Sequence, residues 1–147
     1  MEKGTKMHHS NMITEAYIKG RCDYGIGKCA VVIVEGGVTK YHRAWVIGGS
    51  FPFNGKEIIA DQYNCEIVAA CFVMDWCKRN GVSVVNIYAN TQTCQKWYYR
   101  RAFPQERELG QTFNDYAKGI DVYADYIPKS KQDKHNIMVN QLAESIR

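Results

Sequence analysis

Between Gln62 and Asn80 the chain runs without proline or glycine, and Glu66, Ala70, Val73 and Cys77 recur at helical spacing on one stripe while Asp75, Lys78 and Arg79 lie elsewhere. The spacing predicts an amphipathic helix with its stripe turned to a core. Asp61 stands where an N-cap is needed, and Asn80-Gly81 is a pair that commonly closes a helix. The stripe carries one carboxylate, Glu66, toward the interior. A carboxylate there costs free energy unless it is paired, hydrogen-bonded or metal-bound; the plainest expectation is that Glu66 ends the stripe and bends out to water.

The remaining elements follow from period and punctuation. Ile13 to Lys19 alternates, with Glu15, Tyr17 and Lys19 on one face and Ala16 and Ile18 on the other, and reads as a strand that Gly20 ends. Lys28 to Glu35 is a strongly apolar second strand, and Gly36-Gly37 is a tight hairpin connection into a third strand through about Ile47. Gly48 to Gly55 reads as a loop. Val84 to Ala89 is a short strand ending at Asn90. Thr91 to about Arg101 reads as helix; Pro104 opens a further helix that Gly119 closes. Ile120 to Ile127 is a fifth strand, Pro128 to Lys134 a basic loop, and the last helix, from about His135, carries the stripe Met138, Val139, Leu142, Ala143, Ile146. The order βββ-α-β-αα-β-α predicts an α/β fold, a mixed five-stranded sheet with helices on both faces. Residues 1–12 are polar, lack periodicity and read as a mobile tail; residues 13–147 read as one domain.

Composition narrows this picture. A chain of 147 residues with 46% hydrophobic content is long enough to bury roughly 68–70% of its unfolded surface in one core. A net charge of +4 and a pI near 8.7 are compatible with a polyanionic partner without requiring one. No apolar run reaches membrane-spanning length and no leader pattern opens the chain, which predicts a cytoplasmic protein with no membrane partner. The six cysteines, Cys22, Cys29, Cys65, Cys71, Cys77 and Cys94, form no C-x-x-C pair, so they read as reduced core residues rather than zinc ligands. His8-His9 is given no metal role.

Four short motifs fall in order on these elements: Ala16-Tyr17-Ile18-Lys19-Gly20-Arg21-Cys22, Glu66-Ile67-Val68-Ala69, Ile87-Tyr88-Ala89-Asn90, and Asn136 through Asn140-Gln141-Leu142-Ala143. In this arrangement the chain resembles ribonuclease H over roughly Ile13 to Arg147, and is most similar to the bacterial and viroplasmin-associated branch, where a Lys-Trp helix follows the Tyr-Asp strand end as Lys96-Trp97 do here. The resemblance implies a ribonuclease H-like fold. Enzymes of that family cut the RNA strand of RNA–DNA hybrids with two divalent metals held by carboxylates.

The implied site is largely altered here. Lys19 stands where the family's first strand ends in Asp, Glu66 matches the helix Glu, and Asn90 replaces the fourth-strand Asp. Asn140 replaces the last-helix Asp, Asn136 matches the family's Asn, and Ser130 falls at about the place of the loop His. One acidic ligand in four remains, which removes the charge that would draw two Mg²⁺ ions. The expectation is a catalytically silent site with no metal and no cofactor, in which the Lys19 ammonium pairs with Glu66 across the old metal position. Otherwise Lys19 leans out to solvent, and Asn90 and Asn140 are surface amides.

Basic residues interleaved with aromatics point to nucleic acid: Lys19 and Arg21 at the mouth of the site, Lys129, Lys131 and Lys134 in the last loop, and Lys96, Arg100 and Arg101 beside Trp97, Tyr98 and Tyr99. Three readings result. The first is a pseudoenzyme that binds an RNA–DNA hybrid or duplex, or docks a partner, without cutting it. The second is an active nuclease that uses Mg²⁺ or, more readily, Mn²⁺ on Glu66 with displaced carboxylates among Asp61, Asp23 and Asp133. The third is a protein-interaction scaffold that has lost nucleic acid. A silent module of this kind would act as a regulator, a competitor of active relatives or a component of a mobile element. Oligomeric state is not legible.

Overall fold

The computed structural model describes residues 13–53, 55–91, 107–127 and 133–146. The elements in chain order are β1 (Thr14–Asp23), β2 (Ile26–Glu35), β3 (Val38–Gly48), β4 (Ser50–Phe53), β5 (Lys56–Ile59), α1 (Gln62–Arg79), β6 (Val84–Ala89), α2 (Arg107–Tyr116), β7 (Asp121–Tyr126) and α3 (Lys134–Ser145). Beyond Thr91, the helix expected from Thr91 to about Arg101 lies outside the described residues.

The main sheet has the order β3-β2-β1-β6-β7. β1, β2 and β3 form the expected antiparallel meander, whereas β6 runs parallel to β1 and β7 parallel to β6. The tight β2–β3 hairpin follows from Gly36-Gly37: both residues have positive φ, 58° and 82°, the backbone of a two-residue turn that matches strand twist. The sheet is the mixed five-stranded one the pattern predicted, because a parallel return needs a helical crossover and α1 supplies it.

Helices cover both faces. α1 seals one side against Ala16, Ile18, Cys29, Val31, Ile33, Val85 and Ile87, all of them fully buried. α3 packs over β1, β2 and β3 on the other, burying Val139 and Ala143 against Ala30, Val32 and Val34. β2 is therefore apolar on both faces, the reason for its continuous Val/Ile run. The α1 boundaries agree with the sequence: the Asp61 side chain accepts from the Asn64 amide at 2.7 Å, and Asn80 caps the far end.

Two expectations are corrected. Gly20 does not end β1, which continues to Asp23. Its missing side chain serves packing instead, since a Cβ there would lie 2.2 Å from the Glu66 amide nitrogen and 2.4 Å from the Gln62 carbonyl. α1 thus rests directly on the β1 backbone. The second correction is the segment after Gly48: it is not a simple loop but a small hairpin of β4 and β5, with Phe51 and Ile58 turned into the core.

Among the described residues the cysteines are the reduced core residues expected. Cys29, Cys65, Cys71 and Cys77 are buried free thiols and Cys22 is half-buried; the Cys29 thiol donates to the Cys65 carbonyl at 3.2 Å. Burial pushes the Cys77 thiol up to about 12. No helix among the described residues is long and apolar enough to cross a membrane.

Candidate functional site

The close approach at Gly20 brings the first turns of α1 onto the end of β1, and the parallel pairing of Ile18 with Ala89 sets the end of β6 beside them. Glu66 therefore does not bend out to water: it is fully buried. Its carboxylate accepts from the Asn90 amide at 3.1 Å, from the Thr91 amide at 3.2 Å and from the Thr91 hydroxyl. Burial pushes the Glu66 carboxyl up from 4.5 to about 7, opposed by the Thr91 hydroxyl, the Asn90 amide, the Lys19 charge and the Thr91 amide, in that order. Lys19 is half-buried, and its charge opposes the rise of the Glu66 carboxyl after the Thr91 hydroxyl and the Asn90 amide.

The asparagines meet across the strand end. Asn90 Nδ2 donates to the Ile18 carbonyl at 2.9 Å and to Asn136 Oδ1 at 3.0 Å. Its Oδ1 accepts from Asn136 Nδ2 and from Asn140 Nδ2, both at 3.2 Å. Asn140 Nδ2 also donates to the Asn136 carbonyl at 2.8 Å. Asn90 and Asn140 are therefore not isolated surface amides, and Asn136 is fully buried. Carboxylates at these three positions would repel one another, whereas an amide has both donor and acceptor and can close such a ring.

Asp23, Asp61 and Asp133, the further carboxylates the sequence offered as ligands, are committed elsewhere. Asp23 Oδ2 takes Arg21 Nε at 2.7 Å and Lys28 Nζ at 3.0 Å, which holds its carboxyl below the usual range. Asp61 caps α1. Asp133 caps α3, accepting from the amides of His135 and Asn136 at 2.8 and 3.2 Å, and takes the Tyr17 hydroxyl at 3.3 Å. Among the described residues no three of His, Cys, Asp and Glu gather where they could hold a metal ion. The donor set does not fit a two-metal centre. Glu66 is its one carboxylate and spends both oxygens on backbone and hydroxyl donors, and Asn90 Oδ1 is taken by two amides.

The structure thus brings Lys19, Glu66, Asn90, Asn136 and Asn140 together. Ser130 and the basic candidates Lys96, Arg100, Arg101, Lys129 and Lys131 lie outside the described residues. Lys134 is exposed on the first turn of α3. Arg21 is tied to Asp23 and also reaches Glu144 at 3.4 Å, so part of its charge is already met. Thr91 was missed by the sequence; its signal was a hydroxyl directly after the strand-end Asn90. On the far side of the Glu66 stripe, Trp45, Phe53, Phe72 and Tyr116 line a cleft of about 310 Å³, with the Arg43 guanidinium 5.1 Å from the Trp45 ring and 5.4 Å from that of Phe72.

A mixed sheet with a parallel crossover, one helix on the β1 backbone and a second sealing the opposite face defines a class of α/β folds. The particular fold is that of ribonuclease H. Ribonuclease H1 from the halophilic archaeon Halobacterium salinarum is 15% identical to this chain, with a TM-score of 0.69, over 90% of this chain and 98% of the other. The N-terminal ribonuclease H domain of a Mycobacterium tuberculosis protein gives a TM-score of 0.66 at 10% identity, over 90% and 95% of the two chains. A ribonuclease H1 termed LC11, solved in complex with an RNA/DNA hybrid, gives 0.62 at 16% identity, over 89% and 96%. No protein-family model matches the chain, and no curated protein matches it in sequence.

Proposed function

We propose that this chain is a catalytically silent ribonuclease H-like domain that binds a nucleic-acid duplex, the RNA–DNA hybrid first, and leaves it uncut. The observation that carries the silence is the amide ring. Asn90, Asn136 and Asn140 bond to one another where a metal-dependent nuclease needs anionic oxygens, and the one carboxylate, Glu66, is consumed by Asn90 and Thr91. The displaced-carboxylate alternative loses support from the same geometry, because Asp23, Asp61 and Asp133 each already hold a cation or a helix end. Duplex binding is supported by the fold, by a hybrid-bound structure of the same fold and by the net charge of +4. Lys19, Lys96, Arg100, Arg101, Lys129, Lys131 and Lys134 are the proposed phosphate contacts, with Arg21 a weaker one.

The test is fluorescence anisotropy with labelled RNA–DNA hybrid, RNA duplex and DNA duplex, in chelator and at two salt concentrations. The expected result is preference for the hybrid, with log affinity falling in proportion to log salt, and intact strands after incubation with Mg²⁺ or Mn²⁺. Cleavage that disappears in Glu66→Gln would overturn the silent reading. Absence of binding to all three duplexes at low salt would overturn the nucleic-acid reading and leave the scaffold.

A further inference from the structure

β7 closes one edge of the sheet, and its exposed side is acidic. α3 packs on β1, β2 and β3, and Tyr88 of β6 is half-buried against the cluster beneath it; among the described residues, Val84, Asp121, Tyr123 and Asp125 stay exposed on the face of β6 and β7 turned away from α1. On that face the register pairs Val84 with Asp121, Asn86 with Tyr123 and Tyr88 with Asp125, and on β1 Glu15 stands opposite Asn86. Tyr123 is 54% exposed and Val84 46%; Asp121 and Asp125 are exposed as well. Every charged residue that β6 and β7 contribute to this face is acidic, in a chain whose net charge is +4. Burial first, then Glu15, Asp125 and Asp133, raise the Tyr88 phenol beside them.

Among the described residues no strand pairs with the outer edge of β7. The Asp121 amide donates to the Ser83 carbonyl at 2.8 Å and the Ile127 amide to the Ala89 carbonyl at 2.9 Å, so odd-numbered residues face β6. By the two-residue period, Val122, Ala124 and Tyr126 direct their backbone groups outward. Exposed edges are commonly blunted by lysine, proline or bulges. The other edge, β3, has such devices, with Lys40, His42 and Arg43 along it and two breaks in its register against β2. β7 has an unbroken six-residue register and neither lysine nor proline. What it has is Asp121 and Asp125, which oppose pairing with a second β7 by like-charge repulsion and favour a strand of opposite sign.

We infer that β7 and the acidic, tyrosine-bearing face beside it form a docking edge for an extended basic segment of another protein, which adds to the sheet as a sixth strand. Main-chain bonds to Val122, Ala124 and Tyr126 supply register. Alternate lysine or arginine side chains of the partner reach Asp121 and Asp125 and lie over the Tyr123 ring. This edge is separate from Glu66 and the asparagine ring, and it does not depend on the nucleic-acid reading.

The experiment is an NMR titration of the isotope-labelled chain with a short capped peptide of alternating lysine and valine, and with its glutamate–valine counterpart. The lysine peptide is expected to bind and to slow hydrogen exchange at the amides of Val122, Ala124 and Tyr126, while the glutamate peptide does not bind. The double variant Asp121→Asn/Asp125→Asn, altered at exposed positions only, should keep the free-chain spectrum and weaken binding roughly fivefold. No binding, equal binding of both peptides, protection at other amides, or self-association of the free chain through β7 would each overturn the inference.

Discussion

The buried Glu66 makes the stability of this protein fall with rising pH in a window where most carboxylates are silent. Its carboxyl is raised from 4.5 to about 7, so the folded chain holds this proton more tightly than the unfolded chain does. The resulting stabilisation is fully present below 4.5 and is lost as pH rises through about 7. At about 1.4 kcal/mol per pH unit the whole shift is worth about 3 kcal/mol, most of which falls between about pH 5 and pH 8. Asp23, held below its usual range by Arg21 and Lys28, works in the opposite direction but at lower pH. Urea unfolding of the wild type and of Glu66→Gln across this window isolates the effect, since every other titrating group is common to both. The wild-type advantage over the variant should shrink by about 2 to 3 kcal/mol from the acid to the alkaline end. In Lys19→Met, where the nearby cation is gone, the Glu66 midpoint observed by carboxyl NMR should move further up. Parallel curves for wild type and Glu66→Gln, or an unmoved midpoint in Lys19→Met, would refute the burial argument.

Gly20→Ala should cost about 3 kcal/mol in denaturant unfolding, because its Cβ would meet the α1 backbone at Glu66 and Gln62 rather than a side chain that can turn aside. Asn136→Ala removes Asn136 Oδ1, which accepts from Asn90, and Asn136 Nδ2, which donates to it; a loss of about 2 kcal/mol is expected by the same measurement. About 10 mM Mg²⁺ should leave the wild-type melting temperature level with a sodium chloride control of equal ionic strength. The triple variant Lys19→Asp/Asn90→Asp/Asn140→Asp should instead be destabilised in chelator and recover with Mg²⁺. A wild-type rise specific to Mg²⁺ would contradict the poor fit of the site to metal.

The parts legible in the sequence were those with a long period or a specific stop. α1 repeats its stripe over about three turns between a cap and a closing Asn-Gly, and Ala70, Val73 and Cys77 are buried as the spacing implies, with Glu66 buried beside them rather than turned out to water. Gly20 was misread because a glycine in a strand has two meanings, termination and close approach, and only the position of α1 chooses between them. The β4–β5 hairpin was hidden by Pro52, which argues against a strand, although Asn54-Gly55 was a turn signal beside it. Lys19, Glu66, Asn90, Asn136 and Asn140 could be brought to one place from motif order. The hydrogen bonds among them could not, because an amide's partner depends on distances across three elements. Thr91 has no periodicity to announce it.

Amides rather than carboxylates hold this end of the sheet together. Several carboxylates converging on the ends of β1 and β6 need cations to be stable there. Asn90, Asn136 and Asn140 need none, because each amide supplies the donor that its neighbour's oxygen requires. Lys19 supplies a permanent positive charge to Glu66 from β1 itself. Gly20 keeps α1 seated on the β1 backbone through steric fit alone, independent of any ion. The frame of β1, β6 and the start of α1 is thus held by steric fit and amide hydrogen bonds, none of which needs an ion.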